Sequence, residues 1–186
     1  MTRLEVAPEQ PQPGVVEVRV ADPHEYPAIG AVTFAAYDAD YGPLREDYAR
    51  QLRHPEERAG DFEIWVAVRD GEIVGTTSIL RDGRGAQELQ QPGELYFRLL
   101  AVSPTARRQG VGSLLVDLAD RLARERGREA VVLNSGPEMY AAHALYRSLG
   151  FTRLDRRRTV TDGDGRTFEI LTFSRPVARE TPATQV

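Results

Sequence analysis

The chain has no cysteine among its 186 residues, which removes disulfides, thiolate metal sites and cysteine nucleophiles together. Lysine is missing too: all 24 basic residues are arginine. A Walker-type phosphate loop needs a lysine and a Schiff base needs a side-chain amine, so both are excluded. No run approaches the roughly 18 consecutive apolar residues of a membrane-spanning helix. The opening residues Met1-Thr2-Arg3-Leu4-Glu5-Val6 show no apolar stretch behind a basic start. No signal peptide is therefore expected, and a cytoplasmic location is. The three histidines, His24, His54 and His143, share no ligand spacing, so no metal is expected. A formal net charge of −4 speaks against nucleic acid, whose phosphates call for a basic surface.

What is present suits one well-buried domain: 41% hydrophobic and 28% charged residues. Residues 1–14 and 177–186 are polar and proline-bearing, and are expected to be a flexible arm and tail around a domain spanning 15–176. Within it, residues 15–20 alternate as a strand. A helix should follow, starting near Pro23 or Pro27 and reaching Tyr37, then a shorter one over 44–52. Residues 62–68 and 73–80 read as strands joined at Asp70-Gly71, a tight hairpin signal. A longer strand covers Glu94 to Val102, and another runs from Ala130 to Asn134. Because a helix separates these two, they should form a parallel βαβ unit. The last two strands flank Asp162-Gly163-Asp164-Gly165.

The segment Arg107-Arg108-Gln109-Gly110-Val111-Gly112-Ser113 follows a strand and opens a helix. Its apolar positions are Val111, Leu114, Leu115, Leu118, Ala119, Leu122 and Ala123, the stripe of a one-sided helix. Two glycines leave the first backbone N–H groups unshielded at the positive end of the helix dipole, a setting suited to a phosphate anion. The same glycines also serve simply to permit a tight turn. A dinucleotide fold would want a third glycine where Leu115 stands and an acid about 20 residues on, so NAD is not expected. Further along, Ser135-Gly136-Pro137-Glu138 has capping-box spacing before a helix that ends at Gly150-Phe151.

Ala101-Val102-Ser103-Pro104, then Arg107-x-x-Gly110-x-Gly112, then Ala142-x-x-Leu145-Tyr146-x-x-Leu149-Gly150-Phe151, together resemble the GNAT superfamily of acyl-CoA-dependent N-acyltransferases. The resemblance implies an α/β (α+β) fold whose six- to seven-stranded, mostly antiparallel sheet has one parallel pair splayed for CoA, with about four helices around it. It implies acetyl-CoA as co-substrate and direct attack by an amine, carried on a small molecule or a protein, in a ternary complex. Leu100, Ala101 and Val102 would pair with the pantetheine arm. The N–H groups of Gln109, Gly110, Val111, Gly112 and Ser113 would take the pyrophosphate, with Arg107 and Arg108 beside them. An N–H near Ala101 or Val102 would face the oxyanion, and Tyr146 would protonate the leaving thiolate.

Two departures from the family pattern stand out. Tyr96 occupies the place of a frequent catalytic Glu; Glu94, on the same strand face, is the substitute base, with Glu63 a poorer one. Met139 replaces a cofactor-contacting Asn, for which Asn134 is the substitute. These exchanges keep open an alternative, a non-catalytic acyl-CoA sensor on the same fold. His143, one turn before Tyr146, either faces the cofactor or is a partly exposed helix residue. Tyr37-Asp38-Ala39-Asp40-Tyr41-Gly42, in the region of the family's acceptor loops, would suit a cationic amine. Neither nucleic acid nor membrane is expected as a partner, and a homodimer is compatible with the sequence.

Overall fold

The computed structural model describes residues 14–84, 89–161 and 165–177. The expected arm over 1–13, most of the tail, and residues 162–164 of the final turn lie outside these. Seven strands form one sheet: β1 (Glu17–Val20), β2 (Phe62–Arg69), β3 (Glu72–Leu80), β4 (Glu94–Val102), β5 (Ala130–Ser135), β6 (Thr152–Thr161) and β7 (Thr167–Pro176). Their spatial order is β1-β2-β3-β4-β5-β7-β6. Among the described strands only β4 and β5 run parallel, and the helix between them supplies the crossover that a parallel pair requires. Among the described residues there are four α-helices: α1 (Tyr26–Tyr41), α2 (Glu46–Arg53), α3 (Val111–Glu125) and α4 (Tyr140–Ser148).

The β2–β3 hairpin turns as its sequence requires, with φ of 51° at Asp70 and 81° at Gly71. The helix α3 buries Val111, Leu115, Val116, Leu118, Ala119, Leu122 and Ala123. Leu114, expected on that stripe, is 40% exposed instead; Val116 takes the inward position. The close seat of α3 on the sheet is set at Gly75, where a Cβ would stand 2.7 Å from Val111 Cγ1.

Asp120 of α3 is drawn inward by an ion pair with Arg175. Two further expectations are corrected. The first helix runs on to Tyr41, so residues 37–41 are helical and not a loop. The capping box does not form: α4 starts only at Tyr140, with no side-chain cap. Ser135 belongs to β5, and its hydroxyl reaches Met139 Sδ at 3.5 Å.

Candidate functional site

The sheet opens where its parallel pair stops. β4 and β5 are in register only from Glu94↔Ala130 to Tyr96↔Val132. Beyond Tyr96 no strand among the described residues lies beside the β5-facing edge of β4. A bulge deepens the parting: Ala101 faces Thr76 while Arg98 faces Ser78, so β4 carries one extra residue. That residue is identified by Leu99, a buried non-glycine at φ 54°, a conformation that costs energy and kinks the strand. Nothing in the sequence Arg98-Leu99-Leu100 signals it.

Two clefts flank the parting. The first, about 380 Å³, is lined by Leu100, Ala101, Val102, Arg107, Arg108, Gly110, Val111, Gly112, Ser113 and Tyr146, and closed by Ala36, Tyr37, Asp40 and Tyr41 of α1. Nine of the eleven residues expected to hold a cofactor thus face one space. At its floor is the start of α3. Gly110 takes φ 81° as N-cap and offers no side chain. The first intrahelical bond is Leu114 N–H to the Gly110 carbonyl at 3.0 Å, which leaves the N–H groups of Val111, Gly112 and Ser113 without intrahelical acceptors. No side chain caps them. At Gly112 a Cβ would meet Leu145 at 3.6 Å and Val102 at 3.8 Å, so any longer side chain would enter the cleft. A diphosphate fits this cradle of free donors at a positive helix end.

Arg107 lies within reach of the same cleft, but its guanidinium is engaged: it donates to both oxygens of Asp40 and to the Ala36 carbonyl. Gln109 points its side chain elsewhere, receiving Arg69 and donating to the Thr105 carbonyl at 3.1 Å.

The second cleft, about 210 Å³, lies across the parted strands and is lined by Tyr37, Tyr48, Gln51, Arg98, Asn134 and Arg158 among others. Tyr37, Met139 and Tyr146 line both clefts, so the two meet at these side chains. Tyr146 is 6% exposed. Burial, reinforced by the phenols of Tyr41, Tyr48 and Tyr96, raises its pKa above the ordinary value near 10. Tyr48 is pushed up to about 12 by burial, and Tyr37 also moves upward for the same reason. These phenols are proton holders at neutral pH.

Glu94 does not belong here. It opens β4, seven residues from Ala101, or roughly 23 Å at about 3.3 Å per residue, and Arg156 grips its carboxylate with contacts of 2.5 and 2.9 Å. Glu94 thus lines neither cleft. Glu63 is likewise taken, by Arg126 at 2.8 Å. Asn134 lines the second cleft, not the first, and its Oδ1 accepts from Thr172 at 3.1 Å. His143 is buried, not partly exposed: Nε2 donates to the Gly136 carbonyl at 2.9 Å and the ring lies 4.9 Å from Phe173. It lines neither cleft. No cluster of metal-ligating side chains occurs among the described residues, and no helix among them is long and apolar enough to cross a membrane.

The fold is thus a mixed α/β sheet whose one parallel pair among the described strands parts over an uncapped helix start. The Acetyltransferase (GNAT) family matches residues 31–151, and the chain belongs to that family. It is 38% identical over 90 residues to N-acetyltransferase family 8 member 3 of Rattus norvegicus, covering 48% of this chain and 38% of the relative. It is 32% identical over 154 residues to the mycothiol acetyltransferase of Sanguibacter keddieii, covering 80% of this chain and 47% of that protein. The chain thus spans less than half the length of these relatives. The PaiA N-acetyltransferase of Thermoplasma acidophilum, solved in complex with coenzyme A, shares the fold at a TM-score of 0.64 and 15% identity, over 85% of this chain and 98% of that one.

Proposed function

We propose that this chain is an acetyl-CoA-dependent N-acetyltransferase that brings its two substrates together across the parted strands. One observation carries the reading: the uncapped start of α3 and the unpaired edge of β4 share a cleft that meets a second cleft at Tyr146. In this reading the backbone of Gly110 to Ser113 receives the diphosphate, and Leu100 to Val102 align the pantetheine arm as an added strand. Arg107 holds the cradle to α1 through Asp40, and Arg108 adds positive charge at its rim.

Acetyl-CoA supplies an activated thioester carbonyl. The acceptor enters from the second cleft, and its neutral amine forms the new C–N bond without an acyl-enzyme, in keeping with a chain lacking cysteine and lysine. A backbone N–H at Ala101 or Val102 faces the developing oxyanion. Tyr146 keeps its proton at Oη, ready for the sulfur as the C–S bond breaks. Among the described residues no carboxylate lines the second cleft; in this reading the amine loses its proton to water.

Calorimetric titration with CoA, followed by thiol release from acetyl-CoA with a panel of amines, tests the proposal. Binding with thiol release supports it. Binding without release from any acceptor class would leave a CoA sensor, and absence of binding would end both readings.

A further inference from the structure

The second cleft carries positive charge. Arg98 lines it, half-buried, and meets no carboxylate among the described residues; the Phe62 ring lies 6.0 Å from its guanidinium carbon. Beside the cleft, Arg58 donates to Ser78 Oγ and to the Gln51 carbonyl, both at 2.9 Å. Its Nη2 is buried with no hydrogen-bond acceptor among the described residues. Burial, followed by the charge of Arg98, lowers Arg58 to about 10, so Arg58 stays cationic at neutral pH. Glu56 is the nearby acid, but it is exposed and already engaged by His54 at 2.7 Å.

Other half-buried arginines among the described residues are partnered. The half-buried arginines 19, 107, 126, 156 and 175 each meet a carboxylate, and Arg69 meets Gln109. Two adjacent guanidinia withdrawn from water repel each other and lose hydration, an arrangement that an anion relieves. Tyr37 and Tyr48, protonated in the same cleft, add hydroxyl donors.

Resting on the reading that this cleft receives the acceptor, we infer that the acceptor is an amine bearing a carboxylate, an amino-acid-like molecule whose anion is held by Arg98 with Arg58 beside it. Its amine then points toward Tyr146, where the clefts meet. This reverses the expectation of a cationic amine drawn from Asp38 and Asp40. Those residues lie on α1, and Asp40 is committed to Arg107.

The test pairs α-amino acids with their α-amides. Thiol release is followed with acetyl-CoA, and binding of each compound is measured by calorimetry with and without CoA. The amide's amine is the less basic, so a preference for the acid cannot arise from amine ionisation. The acids should be favoured about 10- to 100-fold in kcat/KM or affinity, as expected for a charge-assisted contact. Arg98→Met should reduce that preference below about threefold, leaving CoA affinity and the melting temperature near wild type; Arg58→Met serves as the second variant. Equal use of acids and amides, a preference that survives Arg98→Met, or CoA binding with no acid bound or acetylated would each overturn the inference. Thiol release from neutral amines without acid preference would sink the inference alone, whereas failure to bind CoA would sink the proposed function.

Discussion

The guanidinium of Arg107 spans the carboxylate of Asp40, at 2.7 and 3.0 Å, and thereby ties the loop that opens α3 to the last turns of α1. Asp40→Asn should loosen the diphosphate cradle without touching it. CoA affinity is expected to fall about 3- to 10-fold, since a partly exposed ion pair contributes on the order of 1 kcal/mol. Calorimetry checks this, and affinity equal to wild type would show that the loop holds its shape unaided.

Gly112 faces the first cleft with room for a methyl group but not for more. Gly112→Ala should bind CoA within a few-fold of wild type. Gly112→Glu, which puts bulk and negative charge at the helix start, should weaken it by about 100-fold or more. Similar affinities for the two variants would remove the diphosphate from this site.

Tyr146 is raised above its ordinary pKa by burial, so it stays protonated throughout the neutral and mildly alkaline range. Tyr146→Phe should lower single-turnover thiol release by about 10²-fold, a typical contribution of positioned proton transfer, with CoA affinity nearly unchanged. Wild-type activity should show no falling limb from this phenol up to pH 9. Unchanged turnover in the variant would exclude Tyr146 as the proton donor.

Glu94 and Arg156 form a largely buried pair, 12% and 20% exposed at their side chains. Glu94→Gln leaves the guanidinium without its anion, so denaturant unfolding should register a loss of about 1–3 kcal/mol. The kcat per folded molecule should hold. A fall in kcat with unaltered stability would return Glu94 to the chemistry.

His143 is held below its ordinary pKa of about 6.5, chiefly by burial. The unfolded chain therefore binds the proton more readily than the folded one. Stability from the neutral imidazole is complete above about pH 6.5 and declines as the pH falls through the depressed folded value. The melting temperature should drop on acidification below pH 6.5, and less steeply in His143→Phe.

Much of this was legible in one dimension. The Asp70-Gly71 turn, the stripe of α3 and the glycines at its start are local features whose geometry is dictated within a few residues, and they place the first cleft. The order of strands and helices, with one crossover between Glu94 and Asn134, implies the parallel pair. The helix start at Tyr140 was missed because Ser135 pairs within the sheet and so cannot serve as a cap.

Sequence alone determined which backbone donors stand free at α3, because the glycine spacing and the apolar stripe are local, whereas the bulge at Leu99 in β4 was not legible. Only the tertiary structure decided which charges find partners. Glu94 lost its catalytic candidacy to Arg156, 62 residues away, and Arg107 was claimed by Asp40 across 67 residues. Arg98 was left in the second cleft, with Arg58 beside it, meeting no carboxylate among the described residues. Ion pairing depends on distances between segments remote in the chain, and no local pattern of residues encodes those distances.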